Sequence, residues 1–346
     1  MWQQPVSIIS YLLVAAVVVF VSIKLSDFVD LLDKKTKVSG AFLGGILLAA
    51  VTSLPELFTS LTATILVKDN SLVVGNILGS NLFNFALFAI LFIFFFKHFV
   101  SAKVNKVHLL TMLFIALMYV CVTIGGYVFN YNHILWGWFN PMSIAILTIY
   151  AISVWKTPKE EESESKDEVE TKLTVKQIIF WFVVLAIVLV GASIGITYLT
   201  DWVVDVFGIG STFGGALFLG VATSLPEMTS TINLGRRKNY NAAFGNIVGS
   251  NCFNFIILTF ADIFGFVVKN NDGSYRGLYN MDQSCFWLLI CGGFSFIVVL
   301  ISMILKYKGK LKDNKMSRAV FITLGSLLFA SYVVFLVCSN IKMNLF

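Results

Sequence analysis

The sequence predicts an all-α integral membrane protein in which ten transmembrane helices form two inverted-topology repeats of five helices each. Three observations lead to this fold class. The 346 residues are 58% hydrophobic and only 13% charged, a balance outside that of soluble domains. Apolar stretches long enough to cross roughly 30 Å of hydrocarbon, which takes about 20 helical residues, recur along the whole chain. A pentapeptide and an eleven-residue segment each occur twice, once in each half.

Ten apolar spans can be drawn, five on either side of a polar segment. The segment from Thr157 to Lys172 is dense in Glu, Ser and Lys and cannot bury apolar surface. We therefore divide the chain into a first five-helix half (1–156), an acidic cytoplasmic linker (157–176) and a second five-helix half (177–346). The predicted spans are residues 5–31, 38–67, 71–97, 105–128, 134–155, 177–205, 210–235, 240–267, 283–306 and 316–340.

The basic residues predict how the spans are oriented, because lysine and arginine in short loops remain on the cytoplasmic side. Loops after the odd-numbered spans hold most of the 25 basic residues of the chain. We expect both termini outside, the linker in the cytoplasm, and a multi-pass location in the plasma membrane, since no organellar signal is evident. This topology explains the net charge of +6 without a nucleic-acid partner. The expected partners are the lipid bilayer and inorganic cations, with no obligate protein partner.

Two repeated motifs define the halves. TSLPE occurs at 52–56 and 223–227, and GNILGSNLFNF at 75–85 is repeated as GNIVGSNCFNF at 245–255 with two differences. The offset is 171 residues between the glutamates and 170 between the later motifs, so one residue is gained or lost between them. Because each predicted half has an odd number of spans, the second half enters the membrane from the opposite side, which makes these inverted repeats.

Glu56 and Glu227 lie deep within predicted spans, where a carboxylate costs about 3 kcal/mol or more unless it faces a polar cavity or a cation. One interpretation is that both are protonated and only bond neighbouring helices. Two copies at equivalent positions of the same pentapeptide favour a shared task instead. We therefore expect the two glutamates to bind a cation at mid-membrane.

A proline precedes each glutamate and weakens the helix there. Pro55 and Pro226 remove a backbone donor and displace the carbonyl four residues earlier, which frees the carbonyls of Val51 and Ala222. Irregular backbone at membrane depth is tolerated where it is buried in protein or lines a cavity. A simple kink between packed helices is the alternative, but the adjoining Thr-Ser pair and glutamate favour coordination.

Oxygen-bearing side chains around the glutamates suit a hard cation, since calcium takes about 6–8 oxygen ligands. Two carboxylates balance one divalent charge, and hydroxyl groups suit sodium. We expect no cofactor, only transported calcium and sodium. Asn81 and Asn251 lie about 80° from the ligand face at about 100° per residue and are candidates for a supporting position. Asp262, near the outer end of the eighth span, is expected to be a vestibule residue, with a regulatory site as the alternative. The predicted metal ligands are Glu56, Glu227, Thr52, Thr223, Asn84 and Asn254, with Ser53, Ser224, Ser80 and Ser250 as further hydroxyls.

The repeated TSLPE and GNxxGSNxFN segments resemble the two alpha repeats of the sodium/calcium exchanger superfamily of cation antiporters. The resemblance covers the repeat helices strongly and the ten-span plan by topology. It implies that the glutamates and threonines bind calcium, and that the four serines bind sodium together with backbone carbonyls near Ala49 and Gly220. Members commonly carry an aspartate at one of the two central positions, whereas this sequence has Asn84 and Asn254.

The function predicted from the residues and the resemblance is secondary active antiport of calcium against sodium, by alternating access at one mid-membrane site. Proton coupling is an alternative, because Glu56 and Glu227 could each carry a proton in the return step. A passive cation channel would also use carboxylates, but inverted repeats with broken helices are typical of transporters. An enzyme is not expected, since the sequence has no HExxH motif.

Overall fold

A computed structural model gives the fold, and it describes residues 3–35, 52–101, 106–127, 140–156, 173–236, 238, 240–267, 278, 282–307 and 315–339. Within these residues the secondary structure is helical, with no strand. Residues 157–172 of the predicted linker (157–176) lie outside the described residues, as do residues 38–51 of the predicted second span, including Ala49.

The helices follow the predicted spans closely. Two π-helical turns interrupt them, one continuing α2 over Ala63–Val67 and one joining α8 to α9 over Gly215–Leu219. The helices of the described residues are α1 Gln3–Lys35, α2 Leu54–Thr62, α3 Asn70–Phe94, α4 Phe96–Ser101, α5 Lys106–Tyr127, α6 Pro141–Lys156, α7 Val175–Phe207, α8 Ser211–Gly214, α9 Gly220–Arg236, α10 Tyr240–Val267, α11 Gln283–Tyr307 and α12 Lys315–Cys338.

Local sequence signals set several of these boundaries. Asp69 caps α3 by accepting hydrogen bonds from the backbone N–H groups of Ser71 (2.8 Å) and Leu72 (3.3 Å). Thr174 and Gln177 form a capping box at the start of α7. Gly208 ends that helix in the left-handed conformation at φ 63°, where a side chain would be strained.

Among the described residues, seven helices are long and apolar enough to cross a membrane, as expected of a multi-pass membrane protein. Large apolar side chains on their outer surfaces suit contact with lipid, as at Phe94 (78% exposed) and Leu13 (65% exposed). Leu54–Val67 and Pro141–Lys156 are shorter apolar helical segments. The seven long spans are Gln3–Leu25, Asn70–Phe94, Val107–Tyr127, Val175–Phe207, Ala243–Gly265, Gln283–Tyr307 and Lys315–Cys338.

Helices α3 and α10, which carry the two eleven-residue motifs, form the centre of the bundle. Each has 72% of its most apolar stretch buried, against 17% for α7. Helix α3 packs against α9, α10, α11 and α12, while α1 lies along α7 and shares a separate, smaller apolar cluster with it. The repeated motifs therefore occupy the position most shielded from lipid.

Glycines let α3 approach the segment formed by α8, the following π turn and α9. A Cβ atom built on Gly75 would lie 2.1 Å from the backbone oxygen of Thr212, and one built on Gly79 would lie 2.5 Å from the Cα atom of Ala216. Only glycine fits where two backbones are this close. Gly75 and Gly79, spaced as a small-xxx-small pattern, thus permit the close packing of α3.

The π turn at Ala63–Val67 accounts for the one-residue difference between the motif spacings. Lys68 (φ 62°) and Lys238 (φ 61°) are the non-glycine residues with positive φ among the described residues, and each precedes its GN motif by seven positions. Glu56 precedes Lys68 by twelve residues, whereas Glu227 precedes Lys238 by eleven. A π turn accommodates one residue more than an α turn, so the extra residue of the first half lies there.

Deleting one residue tests this assignment. Removal of Leu66, which is 48% exposed, is expected to convert the π turn into α-helix and to leave the thermal unfolding temperature near that of the unaltered protein. The matched variant lacks the exposed Asn233 of α9, where the helix has no π turn and therefore no extra residue to lose. It should rotate the helix between Glu227 and Lys238 and cost more than about 3 kcal/mol. Equal unfolding temperatures for the two deletions in detergent would contradict the assignment.

Candidate functional site

The two TSLPE segments meet at the centre of the bundle and exchange hydrogen bonds. The Ser224 hydroxyl donates to Glu56 Oε1 at 3.3 Å, and the Ser53 hydroxyl donates to Glu227 Oε1 at 3.5 Å. The Ser250 hydroxyl also donates to Glu227 Oε1, at 3.3 Å. Each glutamate is therefore held by a serine from the other half of the chain.

The two glutamates occupy different positions in their helices. Glu56 lies in the first turn of α2, after Ser53 departs from helical geometry (φ −90°, ψ 11°), and Pro55 stands where no helical donor is required. Pro226 lies inside the continuous helix α9, one residue before Glu227. The helix interruption is thus described directly in the first half, although Val51, whose carbonyl Pro55 was expected to free, lies outside the described residues.

The remaining hydroxyls of the predicted set lie in the same buried centre. Thr52 Oγ1 is 3.4 Å from Ser250 Oγ. The Thr223 hydroxyl donates to the backbone oxygen of Leu219 at 2.8 Å, and the Ser80 hydroxyl donates to that of Gly220 at 3.2 Å. All ten predicted site residues are buried, each at most 1% exposed: Thr52, Ser53, Glu56, Ser80, Asn84, Thr223, Ser224, Glu227, Ser250 and Asn254.

Four asparagines pair between α3 and α10. Asn84 Nδ2 donates to Asn251 Oδ1 at 2.9 Å, and Asn254 Nδ2 donates to Asn81 Oδ1 at 3.0 Å. Asn251 Nδ2 in turn donates to the backbone oxygen of Asn81 at 3.4 Å. The pairs are crossed, so each central asparagine is held by a residue of the other half.

Four side-chain oxygens of this centre are buried and have no hydrogen-bond partner within the described part of the chain: Glu56 Oε2, Glu227 Oε2, Asn84 Oδ1 and Asn254 Oδ1. An unpaired buried oxygen costs about 1–3 kcal/mol. Oxygens that bind a ligand are a common reason for such a cost. Two carboxylates and two amides without nitrogen or sulfur ligands suit hard cations such as calcium, magnesium or sodium.

The atoms of this centre that could bind a cation are all oxygens. No group of three or more His, Cys, Asp or Glu residues comes together among the residues that the structure describes. Such groups hold zinc and other transition metals. The four unpartnered oxygens are therefore the feature of the described residues that fits a bound ion best.

Two asparagines that sequence reasoning did not single out support the glutamates. Asn76 Nδ2 donates to Thr59 Oγ1 (3.0 Å) and Ser60 Oγ (2.9 Å), and lies 3.5 Å from the backbone oxygen of Glu56. Asn246 Nδ2 lies 3.4 Å from the backbone oxygen of Glu227. Both are the second residue of the repeated eleven-residue segment, so their repetition was the available signal.

Asp262 on α10, which the sequence suggested as a vestibule residue near the outer end of its span, is 1% exposed and holds the start of α6. Its Oδ2 accepts hydrogen bonds from the backbone N–H of Asn140 (3.0 Å) and the hydroxyl of Ser143 (2.7 Å). A carboxylate at a helix N-terminus satisfies donors that have no partner within the helix. The vestibule interpretation was therefore wrong, because the carboxylate is enclosed between two helices.

Comparison with known proteins finds a relative in sequence and solved structures with the same fold. The Inner membrane protein YrbG of Escherichia coli (strain K12) is 25% identical over 219 residues, which cover 60% of this chain and 64% of that protein. The match thus spans just under two thirds of the relative. The structure titled "Crystal Structure of H+/Ca2+ Exchanger CAX" shares the fold, with a TM-score of 0.65 and 14% identity over 96% of this chain and 90% of that one.

A second exchanger structure has the same fold. The sodium-calcium exchanger NCX_Mj, soaked with 2.5 mM Na+ and 0.1 mM Sr2+, aligns with a TM-score of 0.55 and 19% identity over 95% of this chain and 99% of that one. The family described as "Sodium/calcium exchanger protein" matches residues 6–156 and 177–340 of this sequence. These segments contain both TSLPE motifs and both GN motifs, as the resemblance predicted. The chain is a member of the sodium/calcium exchanger family of membrane proteins.

Proposed function

We propose that the protein is a secondary active antiporter that exchanges calcium for sodium by alternating access at one mid-membrane site. The observation that carries this proposal is the set of four unpartnered oxygens on Glu56, Glu227, Asn84 and Asn254. Two carboxylates neutralise one calcium ion. The same buried centre then has to be neutralised by other cations when calcium leaves, and this requirement couples the two fluxes.

The proposed ion contacts combine side chains of both halves. Calcium binds between Glu56 and Glu227, with Asn84 and Asn254 completing the ring. Sodium uses overlapping positions, so that the two ions compete and cannot be carried together. The proposed further ligands, with Gly220 as a backbone carbonyl donor, are Thr52, Thr223, Ser53, Ser224, Ser80 and Ser250.

The proposed architecture is ten spans in two inverted five-helix halves. Beyond the seven long spans, Leu54–Val67, Pro141–Lys156 and the helical run 211–236 provide three further segments. The family match over 6–156 and 177–340 supports a division into the halves 1–156 and 177–346 around the linker 157–176. We place both termini outside and the linker in the cytoplasm of a plasma-membrane protein, on the distribution of lysine and arginine.

Proton coupling is the second candidate, and a specific observation favours it. Both central positions are asparagine, so the site has one titratable group fewer than the family commonly has, and the glutamates are the groups left to exchange calcium for another cation. Structures with this fold include one titled an H+/Ca2+ exchanger as well as the sodium-calcium exchanger. We favour sodium because Ser53, Ser80, Ser224 and Ser250 add neutral hydroxyl oxygens that proton transfer does not require.

Calcium uptake into proteoliposomes containing the purified chain tests the proposal. An outward sodium gradient and an outward proton gradient are compared at matched membrane potential. Uptake driven by sodium is the expected result. Uptake driven by protons alone would favour the second candidate, and calcium flux that needs neither gradient and does not saturate would indicate a channel and contradict antiport.

A substitution at Asn254 tests whether the central amide takes part in sodium coupling. Asn254→Asp adds a charge beside the site and is expected to change the sodium concentration for half-maximal calcium release by about 10-fold, since one charged hydrogen bond or ion contact is worth about 1.5 kcal/mol. Sodium-dependent efflux from loaded proteoliposomes gives this value. Asp205→Asn on α7 is the control. An unchanged sodium response in Asn254→Asp would remove this residue from the site.

A further inference from the structure

We infer that Asn81 and Asn251 are positioning residues, which fix the side-chain oxygens of Asn84 and Asn254 in the orientation that binds the cation. The inference rests on the proposed function and extends it to two residues outside the proposed ligand set. It also gives a reason for asparagine at both central positions.

The orientation follows from the groups that a primary amide carries. An asparagine side chain has one oxygen and one NH2 group, on opposite sides of the same carbon. When Asn84 Nδ2 donates to Asn251 Oδ1 (2.9 Å), Asn84 Oδ1 must face away from Asn251. The bond from Asn254 Nδ2 to Asn81 Oδ1 (3.0 Å) does the same for Asn254 Oδ1. Both released oxygens are buried and lack a partner within the described part of the chain.

Asn81 and Asn251 do not serve as ligands in this arrangement. Each uses its side-chain oxygen to accept from a central asparagine, so the group left over is an NH2, which repels a cation. The Asn251 NH2 is held by the backbone oxygen of Asn81 at 3.4 Å. Their contribution therefore passes through Asn84 and Asn254.

The crossed pairing gives the site a preference for amides. An aspartate at 84 or 254 would have no NH2 to donate, so Asn251 or Asn81 would have to turn its own amide to pair with it. The pairing thus favours neutral residues at both central positions. The charge of the proposed ligand set is then that of Glu56 and Glu227 alone, which matches one divalent cation.

The crossed pairing also makes the inference testable with a double-mutant cycle. Residues that orient metal ligands typically contribute about 10- to 100-fold to metal affinity. We expect Asn251→Leu and Asn84→Ala each to raise the Kd for calcium by about this factor. The double variant should bind no more weakly than Asn84→Ala, because Asn251 has nothing left to orient once the Asn84 amide is absent.

The cross-combination supplies the control. Asn81 holds Asn254 and not Asn84, so Asn84→Ala combined with Asn81→Leu should show the two losses multiplied. Asn251→Asp keeps an acceptor oxygen for the Asn84 amide and should retain more calcium affinity than Asn251→Leu. If Asn251 only stabilised the fold, the two double variants would lose calcium affinity in the same way, and aspartate at 251 would not restore it.

The measurement is calorimetric titration of calcium chloride into the purified full chain in detergent, with the unfolding temperature recorded for each variant. If Asn251→Leu does not fold, Asn251→Ser takes its place, since its hydroxyl is too short to reach the Asn84 amide. Two results would overturn this inference alone, provided that the unaltered protein binds calcium. One is that the affinity losses of Asn84→Ala and Asn251→Leu multiply in the double variant. The other is that Asn251→Asp binds calcium no better than Asn251→Leu. No calcium binding by the unaltered protein would contradict the proposed function and the inference with it.

Discussion

We expect replacement of Glu227 by glutamine to abolish calcium transport and to leave the protein folded. Glutamine keeps an oxygen that can accept from Ser250 and Ser53, which lie 3.3 Å and 3.5 Å from Glu227 Oε1. It removes one of the two negative charges that balance calcium at this buried position. Leaving a buried ion without its partner costs about 3–5 kcal/mol, which lowers affinity by at least about 100-fold. Glu56→Gln should have an effect of the same size.

Calcium uptake by proteoliposomes and the unfolding temperature in detergent together measure this effect. Asp27→Asn provides the control, because Asp27 is 57% exposed and bonded to Lys24 at 3.2 Å on α1, away from the central helices. Its transport rate should equal that of the unaltered protein. Uptake by Glu227→Gln at the unaltered rate would show that Glu227 does not bind the transported cation.

Gly75→Ala is expected to destabilise the protein strongly although it adds one methyl group. The added Cβ would lie 2.1 Å from the backbone oxygen of Thr212 and 3.0 Å from the backbone nitrogen of Ala216. Neither atom belongs to a side chain that can rotate away, so α3 and α8 would have to separate. Overpacking typically costs about 1–3 kcal/mol, and we expect the upper end here because both partners are backbone.

The matched control is Gly293→Ala on α11, where an added Cβ meets no atom within 4 Å. Alanine favours the helix by about 1 kcal/mol relative to glycine, so this variant should be at least as stable as the unaltered protein. Unfolding temperatures and the yield of monodisperse protein in detergent compare the two variants. If Gly75→Ala unfolds at the same temperature as Gly293→Ala, the backbones of α3 and α8 do not approach each other as closely as described at Gly75.

Much of the central site could be predicted from the sequence because its motifs are repeated in the two halves of the chain. Glu56 and Glu227, the paired serines and the central asparagines recur in equivalent positions of two motifs, and buried carboxylates are costly enough to imply a partner. The family relationship that these motifs suggested is confirmed. The long apolar spans were predictable from composition, because a segment that crosses the hydrocarbon of a membrane needs apolar side chains and a backbone whose hydrogen bonds are satisfied internally.

The contacts between the halves could not be predicted from the sequence. Ser224 bonds Glu56 across 168 positions and Asn84 bonds Asn251 across 167, and spacing along one helix contains no information on which residue of another helix faces it. Asp262 was misplaced for a related reason, because its partner Asn140 lies 122 positions away. The one-residue offset was visible in the sequence, but its location in a π turn depended on the backbone.

Competition between calcium and sodium for binding to the purified chain tests whether the two ions use one site. Calcium binding is measured at equilibrium over a series of sodium concentrations, with potassium keeping the ionic strength constant. We expect one calcium bound per chain. Its apparent Kd should rise with the sodium concentration while the number of sites stays constant. Binding should be lost in both Glu56→Gln and Glu227→Gln. Calcium binding that persists in both variants, or that sodium leaves unchanged, would contradict a shared site between the two glutamates.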